Sequence, residues 1–282
     1  MSANVVIYGA LSLGILGLLM GSLLILAHNK IALPPNEKVK ALEEVLPGIN
    51  CGACGYPGCA GYAEAVVTEN IGLNLCSPGG QETIEEIAKI VGAEVPDLEK
   101  QIAYIHCGGK STNTTFKYEY HGILECSQAE LLFQGAKTCK SACLGLGSCY
   151  RACPFAAIEL TSEMLVRVNP HKCTGCGLCI EVCPRDVIAL VPYREKPVVY
   201  QVRCKSHEKA LNVRQQCQVG CIACTLCIKK CPVDAIKMED NLAIIDVEKC
   251  VGCTQCEKVC PTKAINHIKK EKHHLFHHHD EV

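Results

Sequence analysis

The sequence predicts an α+β protein in which an N-terminal transmembrane helix precedes a small helical domain and two tandem copies of a cysteine-rich module. Three observations support this fold class. Residues 5–27 carry no charge, the chain of 282 residues contains 24 cysteines, and the spacing of the later cysteines repeats. Aromatic residues make up only 5% and tryptophan is absent, so we expect bonds between metals and thiolates to help hold the domains together.

The N-terminal apolar run predicts a membrane anchor over residues 1–28, followed by a linker over 29–45. At ~1.5 Å per residue, the run is long enough to span a hydrocarbon core of ~30 Å. A cleaved signal peptide is the alternative, but no basic region precedes the run, which also exceeds the usual apolar length. Lys30, Lys38 and Lys40 follow it. The positive-inside rule then predicts a single-pass protein of the cell inner (cytoplasmic) membrane, with its bulk on the cytoplasmic side.

The predicted compartment and the net charge limit the classes of function that the chain could have. Cytoplasmic thiols stay reduced, so metal ligation is favoured over a set of disulfides. The net charge is −1 and the pI about 6.8, so no overall basic field argues for a nucleic-acid partner. Gly17 and Gly21 form a GxxxG pair, which fits packing against another transmembrane helix; glycine is also simply common in such helices, and both interpretations stay open.

The first cysteine group lies in a predicted domain over residues 46–100 and begins in the stretch "LPGINCGACGYPGCAGYAEAV". Its members are Cys51, Cys54, Cys59 and Cys76. Zinc sites usually pair their ligands in two short knuckles, so three close cysteines and one distant one favour an iron–sulfur cluster over zinc. Gly52, Gly55 and Gly58 allow the backbone to fold tightly round such a cluster and to point amides at its sulfurs.

The rest of the chain contains a duplication, which predicts module 1 over residues 101–195 and module 2 over 196–270. Adding 78 to each number of one set gives the other set. The first set is Cys126, Cys139, Cys143, Cys149, Cys153 and Pro154, and the second is Cys204, Cys217, Cys221, Cys227, Cys231 and Pro232. After the loss of one residue, Cys173, Cys176, Cys179, Cys183 and Pro184 match Cys250, Cys253, Cys256, Cys260 and Pro261. Matching positions of this kind indicate two copies of one module.

The cysteine runs in both modules resemble those of two-cluster bacterial ferredoxins. "CTGCGLCIEVCP", "CIACTLCIKKCP" and "CVGCTQCEKVCP" fit C-x2-C-x2-C-x3-C-P, in which three cysteines bind one 4Fe-4S cluster and the fourth binds the other. This rule predicts three regular ligand sets. They are Cys153 with Cys173, Cys176 and Cys179; Cys221, Cys224 and Cys227 with Cys260; and Cys231 with Cys250, Cys253 and Cys256.

One expected cluster of module 1 departs from the rule. Cys143, Cys149 and Cys183 are three of its predicted ligands, but Leu146 occupies the place of the middle cysteine. Either the cluster has three irons or a nearby thiol replaces the ligand, and we predict Cys139 as the replacement. Four cysteines have no assigned place and could be structural thiols, the substitute ligand or a sixth ligand set: Cys107, Cys126, Cys204 and Cys217.

No glycine-rich dinucleotide motif, P-loop, nucleophile elbow or zinc-protease motif occurs in the sequence. We therefore expect no independent catalytic site. The His-rich tail over residues 271–282 is polar and receives no role.

The order of these parts resembles the B subunit of the Rnf family, the membrane-bound, ion-translocating ferredoxin:NAD oxidoreductases, in its long form with two ferredoxin modules. The N-terminal helix, the block around Cys51 and the stretch "CLGLGSCYRACPFAAI" with the runs after it carry the resemblance. It implies an electron-transfer subunit that accepts electrons from soluble reduced ferredoxin and passes them to other membrane and NAD-reducing subunits. It also implies 4Fe-4S clusters, five or six in number.

Two other functions are weighed against this one. The block over residues 51–76 also resembles one in corrinoid iron–sulfur proteins, so the chain could serve another membrane or corrinoid-linked redox complex. The sequence contains no corrinoid-binding barrel, which argues against it. The second alternative, from a different class, is a zinc-stabilised, membrane-anchored interaction scaffold.

Overall fold

The structure is a computed structural model that describes residues 3–31, 36–69, 71–96, 99–194 and 198–267. All 24 cysteines fall within these ranges. The His-rich tail, for which no role was predicted, lies outside the described residues.

A single long helix, α1, occupies Ala3–Ile31. Its segment Ile7–Ala27 has a mean hydropathy of 2.3 and none of it is buried, so it is long and apolar enough to cross a membrane. Leu13 and Leu18 are each more than 70% exposed. An apolar helix that is not buried against any other described part of the chain needs a bilayer or a partner to cover it, as the predicted anchor requires.

Three helices build the first cysteine-rich domain: α2 (Glu37–Val45), α3 (Gly58–Thr68) and α4 (Gly80–Val91), with a short 3₁₀ turn at Ser77–Gly79 before α4. The Asn36 side chain accepts the backbone N–H of Lys38 and so caps α2.

The apolar faces of these three helices form one core, in which Leu42, Tyr62 and Ile84 are almost completely buried. Gly92, in the left-handed conformation with φ 79°, ends α4. Cys76 belongs to this core, and Cys54 and Cys59 pack against it. The helices therefore hold three of the four predicted ligands against one hydrophobic core.

Module 1 consists of four short strands and three short helices. The strands are β1 (Gln101–Ile105), β2 (Ile158–Thr161), β3 (Leu165–Val168) and β4 (Ile188–Pro192). The helices are α5 (Cys126–Leu131), α6 (Ser148–Arg151) and α7 (Leu178–Glu181).

Module 2 has the same number of described elements. Its strands are β5 (Tyr200–Val202), β6 (Ile236–Glu239), β7 (Leu242–Ile245) and β8 (Ile265–His267). Its helices are α8 (Ala210–Gln216), α9 (Leu226–Lys230) and α10 (Gln255–Val259).

Each module contains two antiparallel pairs of strands. The first and last strands pair, β1 with β4 and β5 with β8, while β2–β3 and β6–β7 form hairpins. Ala103 faces Leu190 in the first outer pair, and Ile236 faces Ile245 in the second hairpin. The cysteine runs lie between hairpin and outer strands, and the cores of both modules are built largely of cysteines with small or β-branched side chains.

Candidate metal centres

The four-residue spacing between a cysteine run and the next strand produces one repeated turn after each Cys-Pro pair. The residue three positions after the cysteine has positive φ in all four copies: Ala156, Asp186, Asp234 and Lys263. In three copies the next residue turns its backbone N–H onto the cysteine sulfur. These bonds join Ala157 to Cys153 (3.4 Å), Ala235 to Cys231 (3.3 Å) and Ala264 to Cys260 (3.2 Å). Amide donors of this kind stabilise an anionic sulfur and tune the redox potential of a bound cluster.

Three cavities in the modules are lined by the three regular ligand sets. One contains Cys153, Cys173, Cys176 and Cys179. Another contains Cys221, Cys224, Cys227 and Cys260, and a third contains Cys231, Cys250, Cys253 and Cys256. The structure therefore brings together the residues that the crossing rule combines, with the fourth cysteine of each run in its neighbour's site.

The irregular site of module 1 has a different fourth cysteine from the one predicted. The cavity around Cys143, Cys149 and Cys183 is also lined by Cys126, and Cys139 is absent from its lining. Leu146 is 8% exposed and packs in a small apolar cluster with Cys126 as a neighbour. Cys126 lines this cavity in place of the predicted Cys139, because the segment before the run folds back over it. The structure therefore favours Cys126 as the replacement for the ligand missing at Leu146, and this assignment stays a prediction.

Hydrogen bonds fix Cys126 at this site. Its backbone N–H donates to Ser148 Oγ (2.8 Å), and the Ser148 hydroxyl donates to Glu125 Oε2 (2.6 Å). Arg151 binds the same carboxylate through Nε and a terminal nitrogen (3.1 and 2.9 Å) and donates to the carbonyl of Leu146 (3.1 Å). The start of α5 is thus tied to α6, which carries Cys149.

The fifth cavity contains the other four cysteines of the modules, Cys107, Cys139, Cys204 and Cys217. The sequence left three of these without an assigned place. The sequence comparison paired Cys126 with Cys204, but the structure pairs Cys107 with Cys204. Cys107 lies two residues after the end of β1, and Cys204 lies two residues after the end of β5. In its cavity, Cys126 takes the place that Cys224 has in module 2.

In the first domain, a tight loop brings Cys51, Cys54 and Cys59 to Cys76. Burial raises the pKa of the Cys76 thiol, and Cys59, Cys54 and Cys51 raise it further. Cys76 belongs to the helical core against which Cys54 and Cys59 pack. Asn50 Oδ1 accepts the backbone N–H of Cys59 at 2.7 Å.

The glycines of this loop allow the tight backbone turn that the sequence predicted. Gly52, Gly55 and Gly58 have φ values of 73°, 85° and 84°, which only glycine adopts freely. A Cβ on Gly58 would lie 2.8 Å from Asn50 Oδ1, so any other residue would be strained by the positive φ and would also have to displace the Asn50 side chain.

Comparisons with known proteins agree with these groups. An Fe-S cluster family model matches residues 46–78, and three models described as 4Fe-4S dicluster domain match residues 136–190, 172–236 and 220–264. Together with the apolar α1 and the mixed helices and strands, these matches confirm the predicted fold class.

Three relatives match most of the chain. The B subunit of the proton-translocating ferredoxin:NAD(+) oxidoreductase complex of Clostridium ljungdahlii is 44% identical, over 86% of this chain and 85% of its own length. The B subunit of the ion-translocating oxidoreductase complex of Methanosarcina acetivorans is 39% identical over 83% and 88%, respectively. The B subunit of the Na(+)-translocating ferredoxin:NAD(+) oxidoreductase complex of Acetobacterium woodii is 35% identical, over 84% of this chain and 70% of its own length.

The chain belongs to the family of B subunits of ion-translocating oxidoreductase complexes. This confirms the family predicted from the cysteine blocks.

Family membership makes this B subunit a component of a multi-subunit redox complex associated with a membrane, in agreement with its apolar α1. The 4Fe-4S domains also set aside the zinc-stabilised scaffold as the main function. The 4Fe-4S domains identify the type of cofactor. The geometry of the cysteine groups tests independently whether such clusters fit the sites.

The cysteine groups of this B subunit fit clusters better than single zinc ions. In the described residues, no three His, Cys, Asp or Glu side chains converge closely enough to hold one metal ion. A zinc ion would need four thiolates each ~2.3 Å away, whereas a 4Fe-4S cluster spreads its ligands over four irons. The cavities lined by four cysteines each agree with a group that binds four thiolates through four irons.

Burial controls the protonation of several thiols in the cavities. It raises the pKa values of Cys143, Cys149 and Cys179 to about 12, with neighbouring cysteines adding to the rise. These thiols are neutral at pH 7 unless iron displaces their protons, since a charged thiolate in an apolar core is unfavourable. Binding of iron by these thiols is therefore coupled to the release of protons.

Proposed function

We propose that this chain is the iron–sulfur electron-relay subunit of an ion-translocating ferredoxin:NAD oxidoreductase. It accepts electrons from soluble reduced ferredoxin and passes them to membrane subunits and to the NAD-reducing subunit. The observation that carries the proposal is the series of four-cysteine sites that runs through both modules. When bound, 4Fe-4S clusters supply one-electron chemistry, and the protein binds, spaces and shields them.

The covalent links between neighbouring sites support a relay. Cys149 and Cys153 lie four residues apart but line different cavities, as do Cys179 and Cys183. In module 2, Cys227 and Cys231 divide in the same way. Within each module, a short segment of chain therefore carries ligands of both sites, and this holds the two sites next to each other.

Electrons enter, in this proposal, through module 2. Cys224 is exposed, whereas every other cysteine in the described chain is buried or half-buried. Lys229 and Lys230 are exposed at the end of α9, the helix that follows Cys224. Two cations beside the least shielded ligand favour an electron donor with an acidic docking surface.

Electrons leave towards the membrane through the first domain, which follows α1 in the chain. The bulk of the protein lies on the cytoplasmic side, where ferredoxin and NAD are found. In this proposal, the first domain docks on integral partner subunits. Support for this arrangement comes from the order of the parts and from the exposed apolar surface of α1.

A charge-reversal pair tests the entry site. In the anaerobic full-length protein, Lys229→Glu with Lys230→Glu is expected to slow reduction by reduced ferredoxin about 10-fold at low salt, and the difference should shrink at high salt. The matched control is Lys38→Glu with Lys40→Glu, which makes the same charge change in the first domain, where both lysines are exposed. Equal rates for the two double variants would place the entry site elsewhere. Failure of reduced ferredoxin to reduce the wild type, when a small-molecule reductant succeeds, would contradict the proposed function.

A further inference from the structure

Four cysteines that the regular runs do not use meet in a cavity between the two modules. Cys107 and Cys139 come from module 1, and Cys204 and Cys217 come from module 2. Cys107 is buried and the other three are half-buried. No family match reaches Cys107, since the matched residues of the modules begin at 136.

The four sulfurs are close neighbours. A Cβ placed on Gly109 would lie 3.5 Å from Cys107 Sγ and 3.8 Å from Cys217 Sγ, so these two sulfurs flank one point. Burial raises the pKa of the Cys139 thiol to about 11, and Cys107 and Cys217 add to the rise. Burial likewise raises the pKa of Cys204 to about 11, with a further contribution from Cys139. The four cysteines together line one cavity, and that shared lining is the geometric basis for grouping them.

The two modules contribute to this cavity in the same way. His106 donates its backbone N–H to Val187 O (2.7 Å) in module 1, and Arg203 donates its own to Ala264 O (2.7 Å) in module 2. The residue that follows each donor is a cysteine of the cavity. The cavity thus receives one cysteine from the same position of each duplicated fold, which a chance grouping of leftover thiols would not produce.

Backbone hydrogen bonds between the modules fix the second cysteine of module 2. Thr115 N–H donates to Gln216 O (3.0 Å), and Gln218 N–H donates to Asn113 O (2.9 Å). Thr114 forms the β-bridge to Cys217 between these two bonds. The thiol of Cys217 is therefore held against module 1 by a short piece of paired backbone.

Two backbone amides point at Cys107, as they do at the ligands of the regular runs. Gly109 N–H lies 3.4 Å from Cys107 Sγ, and Cys143 N–H lies 3.3 Å from it. Donors of this type stabilise sulfur that carries negative charge, and a neutral thiol needs no such pair.

A buried lysine lies between this cavity and the neighbouring site of module 1. Lys137 is 1% exposed, and its ammonium donates to Gly109 O (2.7 Å) and Met164 O (2.9 Å). Burial lowers the pKa of Lys137, and the nearby thiols of Cys143 and of three cysteines of the cavity oppose that change by favouring its charged form. A buried cation bound only to carbonyls is costly unless negative charge lies nearby, and four thiolates round an iron–sulfur core supply it.

We propose that Cys107, Cys139, Cys204 and Cys217 bind a sixth 4Fe-4S cluster, which joins the two modules. All 24 cysteines of the chain then form six complete ligand sets. Among the described residues, this is the one set whose ligands come from both modules. The cluster would lie at the interface between the modules and would link the sites of module 2 to those of module 1.

Counting clusters tests this site directly. The full-length protein is purified or reconstituted without air, and its iron, sulfide and native mass are measured. Six clusters with about 24 iron atoms are expected for the wild type, against five with about 20 if the cavity holds only thiols. The double variant Cys107→Ala with Cys217→Ala should lose about four irons and keep the other five clusters. The control Ser206→Ala alters a buried residue that lines the same cavity and carries no thiol, and it should keep six.

Three results would overturn the proposal: five clusters in the native mass of the wild type, a zinc ion in place of the sixth, or an unchanged iron content in the double variant. If the double variant does not fold, the wild-type native mass decides the question alone. The outcome is separate from the proposed function, because a protein with six clusters that ferredoxin fails to reduce would contradict the relay and leave this site standing.

Discussion

The backbone N–H of Cys126 donates to the hydroxyl of Ser148 at 2.8 Å, and this bond ties the start of α5 to the helix that carries Cys149. It explains how a cysteine 17 residues before the first run reaches a site whose regular ligand has become Leu146.

Replacing Cys126 tests its place at that site. Cys126→Ala is expected to leave the site of Cys143, Cys149 and Cys183 with three ligands, so that it retains a three-iron cluster and loses about one iron atom. Electron paramagnetic resonance of the oxidised protein should then show a three-iron signal. Ser206→Ala is the comparison, because it alters a buried residue of another cavity and removes no thiol, and it should not produce that signal. A Cys126→Ala protein with the iron content and the spectrum of the wild type would show that Cys126 is not a ligand of this site.

The carboxylate of Glu125 makes the stability of this site depend on pH. Hydrogen bonds from Ser148 and Arg151 lower the pKa of Glu125 below its ordinary value. A lowered pKa means that the stabilising contribution is present above the ordinary carboxyl pKa of about 4.3 and is lost as the pH falls through the folded value. At pH 7, Glu125→Gln should therefore unfold at a lower temperature than the wild type. The gap between the two should narrow between about pH 5 and pH 3.

Anaerobic thermal unfolding at several pH values measures this effect. Glu239→Gln serves as a control, because Glu239 is exposed at the end of β6 and its carboxylate forms no ion pair with any described residue. A constant gap between Glu125→Gln and the wild type across that pH range would show that the ionised carboxylate is not what holds Cys126.

The buried charge of Lys137 should set the potentials of the sites beside it. Lys137→Met removes a cation from between two sites that gain negative charge on reduction. We expect their midpoint potentials to fall by roughly 50 to 100 mV, since about 60 mV corresponds to 1.4 kcal/mol for one electron. Redox titration followed by electron paramagnetic resonance measures the change.

Two control variants separate this role from a general effect of charge. Lys140→Met, at an exposed neighbouring position, should shift the potentials far less, and Lys137→Arg should retain most of the wild-type values. Equal shifts in the two methionine variants would remove Lys137 from this role.

The loop of the first domain allows steric overlap to be separated from backbone strain. Gly58→Ala forces an alanine to φ 84° and places its Cβ 2.8 Å from Asn50 Oδ1, whereas Gly55→Ala meets the same φ range with no atom within 4 Å. Strain of this kind costs on the order of 1 kcal/mol, and the overlap at Gly58 adds to it.

We therefore expect Gly58→Ala to lose most of the iron bound by the first domain, about four atoms, and Gly55→Ala to retain most of it. Iron analysis of the two variants after anaerobic purification gives the answer. Full iron content in Gly58→Ala would mean that the loop around Cys59 rearranges at little cost.

The regular ligand sets could be predicted because each follows from local spacing. In C-x2-C-x2-C-x3-C-P, a short helix and a proline-ended turn decide which sulfur goes to which site, and the structure groups Cys173, Cys176 and Cys179 with Cys153 as expected. The apolar α1 was equally predictable, because length and lack of charge suffice.

The irregular sites depend on tertiary contacts that spacing does not encode. Cys126 reaches its site through a fold-back of the segment between β1 and α6, held by Ser148 and Arg151. The numerical register also equated Cys126 with Cys204, although the backbone makes Cys107 the counterpart of Cys204. The position of each cysteine relative to its preceding strand would have given the better match.

The most direct test of the central claim is an anaerobic titration of the full-length protein with reduced ferredoxin, with iron and sulfide counted on the same sample. The account predicts a brown protein with at least about 20 iron atoms, whose visible absorption bleaches on mixing and whose reduced clusters give low-temperature resonance signals. A folded protein that is colourless and free of iron, or one whose clusters stay oxidised in the presence of reduced ferredoxin, would contradict it.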